Sequence, residues 1–129
     1  MLGEKPVAAT VAITDLQRAR EFYENVLGLA PVQEMPGGIV YLSGGAGMLV
    51  YESEYAGTNQ ATAATWAAGS DFDAIVEDLR QKGVTFEHYD NLPDTTRDGD
   101  VHTFGGEFKG VWFKDPDGNI LNVGNASME

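Results

Sequence analysis

Two histidines, one strand carboxylate and a run crowded with aspartates are the residues of this chain best suited to acid–base or metal chemistry. Glu52 stands in MLVYES, which alternates like a strand, and His102 stands in DNLPDTTRDGDVHTFGGEF, residues 90–108, after Asp98 and Asp100. A carboxylate as general base and an imidazole as acid make a workable proton-transfer pair once a fold brings them within hydrogen-bond reach. Asp98, Asp100 and His102 also offer oxygen and nitrogen ligands for a metal, although clustered loop acids are more often plain solvated charges. The segment 90–108 reads as a long loop, and a loop of that length in a compact domain is usually functional or mobile. As a lid it would bring Arg97, His102 and Phe104 near a ligand. His88, in VTFEHY, reads as a strand histidine with a packing role. The absence of cysteine excludes disulfides, thiolate metal sites and thiol nucleophiles.

The elements that must position these groups repeat. DLQRAREFYENVLG opens with Asp15 as a helix N-cap, carries Leu16, Ala19, Phe22, Tyr23, Val26 and Leu27 at helical spacing, and ends at Gly28. SDFDAIVEDLRQKG repeats the plan at the same length, with Ser70 and Asp73 approximating a capping box, Phe72, Ile75, Val76 and Leu79 as the apolar stripe, and Gly83 as the stop. A short alternating run precedes each helix, VAATVAI and ATAATWAA. Strand-like segments follow: GIVYL and MLVYE after the first; VTFEHY, GVWFK and NILNV after the second. The chain thus reads as strand-helix-strand-strand-strand twice over, offset by about 55 residues. Module one spans about residues 6–53 and module two about 62–125, and together they form a single domain over 1–129.

Composition narrows the partners. Eight Lys and Arg stand against 20 Asp and Glu, a formal charge of −12 that repels phosphate backbones and anionic lipid, so neither nucleic acid nor a membrane surface is expected. No run approaches the ~18 apolar residues of a membrane span, and the N-terminus lacks a long apolar core, so a cytoplasmic protein is expected.

ITDLQRAREFYENVLGL, followed some ninety residues later by FKDPDGNILNV, resembles the vicinal oxygen chelate superfamily, which includes glyoxalase I, extradiol dioxygenases and the fosfomycin- and bleomycin-resistance proteins. The resemblance runs from about Val7 to Gly124. It implies an α+β fold of two βαβββ modules forming a curled mixed sheet around a concave cavity, and commonly a homodimer. It also implies four metal-ligand positions, one on the first strand of each module and one on the last strand of each. Here these fall on Ala8, on Leu49 or Val50, on Ala64 (Thr65 if the register slips) and on Asn122. Methyl, isobutyl and isopropyl groups donate nothing to a cation, and a threonine or an amide is a weak ligand. No metal and no other cofactor is therefore expected, with Asn122 in the place of a metal-binding glutamate.

Strand alternation assigns the walls of the cavity. Val7, Ala9, Val11 and Ile13 form one face, suited to lie under the first helix, while Ala8, Thr10, Ala12 and Thr14 face the cavity. Ala64, Trp66 and Ala68 line it from the second module. Leu121 and Val123 pack outward, and Ile120 and Asn122 look inward. Tyr41, Tyr51, Met48, Phe108 and Trp112 are available to contact a ligand or to fill the space. Glu52 approaches the cavity if Val50 faces inward.

Two functions from different classes follow. One is a metal-free binding protein, similar to drug-sequestering family members that hold planar molecules between aromatic side chains, with Trp66, Trp112, Tyr51, Met48, Asn122, Phe108 and Thr10 as ligand-binding candidates. The other is a small-molecule enzyme, a lyase, isomerase or dioxygenase, working through Glu52 and His102 or through an atypical metal. A domain with no bound ligand is a third.

Overall fold

The computed structural model describes residues 1–127. The chain is α+β, with a four-stranded and a five-stranded sheet. It divides into two compact units, residues 1–63 with Asp115–Asn119, and Ala64–Lys114 with the residues from Ile120 on.

The first unit runs β1 (Ala9–Ile13), α1 (Leu16–Arg20), β2 (Ala30–Met35), β3 (Gly38–Ser43) and β4 (Ala46–Glu52). Its sheet has the order β1-β4-β3-β2, with β1 and β4 parallel and the other pairs antiparallel. Asp15 caps α1 as expected, its carboxylate accepting the Arg18 N–H at 3.1 Å. The helix then widens into π-helical turns over Glu21–Val26 rather than continuing as one α-helix to Gly28. The widening falls where two consecutive side chains have separate partners: Tyr23 donates to Asp115, and Glu24 accepts from Tyr41 and Arg20. Val11, Ile13, Ile39, Tyr41, Met48 and Val50 are buried on one face of this sheet, and Tyr23 stacks on Tyr41 from the helix at 6.1 Å between ring centres. Removing a side chain of this kind from water contributes about 1.5–3 kcal/mol. Val7 does not join this face; it precedes β1 and is 91% exposed.

Asp115–Asn119 joins strands of the second unit yet packs with the first. Within the turn, Asp115 Oδ1 accepts the N–H groups of Asp117 and Asn119 at 3.0 and 2.8 Å, and Gly118 takes the positive φ of 91° that the reversal needs. Asn119 is turn rather than strand: it is buried, and its amide donates to the Ala12 carbonyl at 2.7 Å. Asp117 accepts from the Thr14 hydroxyl and from Arg18 at 2.6 and 2.9 Å.

The second unit comprises β5 (Thr62–Ala67), α2 (Phe72–Gln81), β6 (Thr95–Asp98), β7 (Val101–Phe104), β8 (Phe108–Lys114) and β9 (Ile120–Gly124), in the sheet order β5-β9-β8-β7-β6. Three expectations change here. A 3-10 turn over Gly69–Asp71 leads into α2, so Asp71 rather than Ser70 is the N-cap and it makes no side-chain capping bond; the turn's own backbone bond, Asp71 N–H to the Ala68 carbonyl, sets up the start. VTFEHY is not a strand: Phe86 makes one isolated bridge to Phe113, and the residues after it are held mainly by side chains. The long loop over 90–108 resolves into the β6–β7 hairpin and the start of β8, with Gly99 at φ 61° in the tight turn. Threonine-rich β6 has the β-branched residues a strand favours, but its four residues are too few to alternate legibly.

Candidate functional site

Cross-strand partners share a face, so the strand register places the candidates on β1, β4, β7, β8 and β9. In the first unit Thr10 pairs with Leu49 and Ala12 with Tyr51, which puts these four on the side away from the buried face. Of the two residues offered for the third family position, Leu49 shares the face of Thr10 and Val50 the buried face. Met48 pairs with Ala9 and Tyr41 and is only 3% exposed, so it faces the helix and not the side of Thr10. Thr10 is exposed, its hydroxyl donating to the Ala8 carbonyl at 3.3 Å, and Tyr51 is 38% exposed. Val50 is buried against the helix, so the condition that would turn Glu52 to the other face is not met. Glu52 instead lines an open cleft of about 350 Å³ with Thr14, Ser53 and Glu54.

In the second unit, His102 pairs with Gly110, Phe104 with Phe108, Gly110 with Gly124 and Trp112 with Asn122. Alternation then puts His102, Phe104, Phe108, Gly110, Trp112 and Asn122 on one face. Val111, Phe113, Leu121 and Val123 are buried on the other, where α2 lies against β9. The first face is aromatic. The His102 ring meets Trp112 edge-on at 4.9 Å, Tyr89 meets Trp112 edge-on at 5.7 Å, and Phe104 stacks on the half-exposed Phe108 at 6.2 Å. Such pairs add roughly 0.5–1.5 kcal/mol beyond burial. Trp66 is half-buried on β5, in phase with Ala64.

Asn122 is tied to its own sheet. Its Nδ2 donates to the Val111 carbonyl at 3.0 Å, and a Cβ at position 110 would lie 3.2 Å from that nitrogen, so Gly110 leaves the room the amide occupies. Ala8, Leu49, Ala64 and a committed amide do not make a donor set that fits a divalent metal. Among the described residues no group of three or more His, Asp or Glu side chains is placed to hold one. Asp100 is instead taken by Arg80 and His88, both at 2.9 Å, which hold its carboxyl below the usual range.

His102 is wholly buried. The Tyr89 N–H donates to its Nε2 at 2.9 Å, so the ring is neutral with its proton on Nδ1. Burial lowers its pKa, Arg97 and His88 push the same way, and the Gly110 backbone and Asp90 push back. Neither access nor a free Nε2 is left for acid–base work. The Tyr89 hydroxyl is buried without a hydrogen-bond partner among the described residues, a cost of about 1–3 kcal/mol. Arg97, expected over a ligand, forms a two-pronged pair with Asp90 at 2.8 and 3.1 Å. Tyr89 is the residue that sequence reasoning missed. It stands in a segment that reads as a strand and is not one, so alternation could not place it.

No helix among the described residues is long and apolar enough to cross a membrane. The fold recurs among solved structures, three of which serve as examples. The fosfomycin resistance protein FosX from Listeria monocytogenes superposes with a TM-score of 0.70 at 14% identity, covering 96% of this chain and 94% of that one. Lactoylglutathione lyase from Agrobacterium tumefaciens gives 0.68 at 18% identity, covering 93% and 92%. An integron cassette protein from the Halifax Harbour sewage-outfall metagenome gives 0.69 at 15% identity, covering 96% and 99%. No curated protein matches the chain by sequence. A family model does match, over residues 5–123, and the chain belongs to the Glyoxalase/Bleomycin resistance protein/Dioxygenase superfamily.

Proposed function

We propose that this member of the superfamily is a metal-free small-molecule-binding protein that takes a planar aromatic ligand on the aromatic face of its five-stranded sheet. The observation that carries the reading is the grouping of His102, Phe104, Phe108 and Trp112 on that face, with Phe108 and the flank of Trp112 at its accessible side. Rings set edge-on to one another leave their outer faces for a third ring, and stacking is tolerant of ligand identity. Metal-assisted lyase or dioxygenase chemistry draws no support from the four family positions, whose side chains lack strong donors. A metal-free reaction through Glu52 and His102 draws none from a buried imidazole whose Nε2 already accepts a hydrogen bond. In the same reading the protein works in the cytoplasm as a homodimer. β2 ends its sheet with every residue exposed, an edge that a second copy would cover.

Titration of a panel of planar aromatic compounds against intrinsic tryptophan fluorescence tests the reading, with Trp112→Phe and Trp66→Phe as variants. Quenching by some compounds, weakened in Trp112→Phe with little change in melting temperature, supports it. No response to any compound contradicts it. Sedimentation at micromolar concentration tests the dimer, for which twice the chain mass is expected.

A further inference from the structure

The backbone from Glu87 to Asp90 follows an isolated bridge and lies outside the sheet ladder. Five anchors hold it. The Glu87 N–H donates to the Trp112 carbonyl at 2.7 Å, and the Glu87 carboxylate meets Lys114 at 3.4 Å. His88 bonds Asp100, the Tyr89 N–H donates to His102 Nε2, and Asp90 pairs with Arg97. We propose that this segment is an acid-released flap, latched by the hydrogen bond from the Tyr89 N–H to His102 Nε2.

The latch works only while His102 is neutral. When Nε2 takes a proton from solvent it becomes a donor facing a donor, and the bond is lost. The imidazole is fully buried, so the proton enters only as the flap lifts, and protonation and opening are one event. The groups that face His102 are Arg97 from β6, His88, Tyr89 and Asp90 from the flap, and the Gly110 backbone from β8. Arg97 and His88 oppose a further positive charge on the ring, which moves the release to lower pH. The other anchors survive mild acid. Hydrogen bonds from His88 and Arg80 hold the Asp100 carboxylate below its usual range, and one from Arg97 does the same for Asp90. Opening is therefore local, swinging Tyr89 out between anchors at Glu87 and Asp90. The Tyr89 ring then leaves its contacts with Trp112 and His102. The flap needs no ligand and stands apart from the proposed function.

An NMR titration from pH 7.5 downward decides the matter. The His102 ring signals and the Tyr89 amide should move together, with one midpoint below 6.5, the ordinary histidine value, and Tyr89 amide exchange should rise at least about tenfold over its intrinsic pH trend. His102→Gln keeps an acceptor near the Nε2 position without titrating, and in it the Tyr89 amide should stay protected throughout. His88→Asn should leave the transition in place. Titration of His102 with an unmoved Tyr89 amide would overturn the proposal. So would an unchanged transition in His102→Gln, or a His102 that stays neutral until the whole chain unfolds. Should His102→Gln fail to fold, coincidence of the two midpoints in the wild type still decides.

Discussion

The hydroxyl of Tyr23 donates to the carboxylate of Asp115 at 2.7 Å, joining residues 92 positions apart with both side chains buried. The other donors to that carboxylate are the backbone N–H groups of Asp117 and Asn119 and the Asn119 amide. Burial first, then the Asp115 charge, push the Tyr23 pKa far up, so the phenol stays a donor at every working pH. Tyr23→Phe leaves the buried charge one donor short and should cost about 1.5–3 kcal/mol, the range for a bond to a charged group. Asp115→Ala strands the donors together and should cost more. Urea denaturation of both variants checks the order; a neutral Tyr23→Phe would contradict it.

Gly110 and Asn122 form a pair of a different kind. A methyl group at position 110 would meet Asn122 Nδ2 at 3.2 Å and the Phe104 ring at 3.5 Å. Gly110→Ala should cost about 1–3 kcal/mol as overpacking, and less in an Asn122→Ala background where the amide is gone. A double-mutant cycle measures the difference. Strict additivity would mean that the two positions do not compete for space.

Much of this was legible in the sequence because period and punctuation carry it. The Asp15 cap, the buried phase of Val11 and Ile13, and the opposed phases of Leu121 and Asn122 all follow from 3.6- and 2-residue spacing. The family itself was readable from the Phe-Tyr helix and the DPDGN turn. What escaped were features set by side chains on irregular backbone. Nothing local in EHYD says that the Tyr89 N–H will meet an imidazole thirteen residues on. The burial of His102 was hidden because RDGDVHTF mixes charge and glycine with a four-residue strand. The phase of Met48 was ambiguous by one residue, and one residue turns a side chain to the other face.

Stability should depend on pH through His102 before it depends on any carboxylate. The folded pKa is lowered, so this group's contribution is full above about pH 6.5, declines as pH falls from there toward the folded value, and is absent below it. Asp90 and Asp100 carry the same sign at lower pH, full above the ordinary value of 3.8 and lost as pH falls below it. Urea midpoints measured against pH should therefore begin to drop near 6.5 in the wild type, and that early limb should be missing in His102→Gln. A wild-type midpoint that stays flat down to the carboxylate range would contradict the assignment.

Metal content should be well below one ion per chain after dialysis, since Ala8, Leu49, Ala64 and Asn122 offer no strong donor. Elemental analysis, followed by zinc, nickel, manganese and iron titrations, checks it. A site tighter than about micromolar, near −8 kcal/mol, would contradict the donor argument.

The account's central claim is that the aromatic face of the five-stranded sheet is the binding surface. Its most direct test is a two-dimensional 1H–15N titration with the strongest quencher from the aromatic panel, mapped residue by residue. The account predicts that the largest shifts fall on the Trp112 indole and on the amides of Phe104, Phe108 and Asn122, while Val76, Leu79 and Phe113 on the helix side stay still. Shifts centred on the Thr14–Glu54 cleft or on α2, or no saturable shift at all, would contradict it.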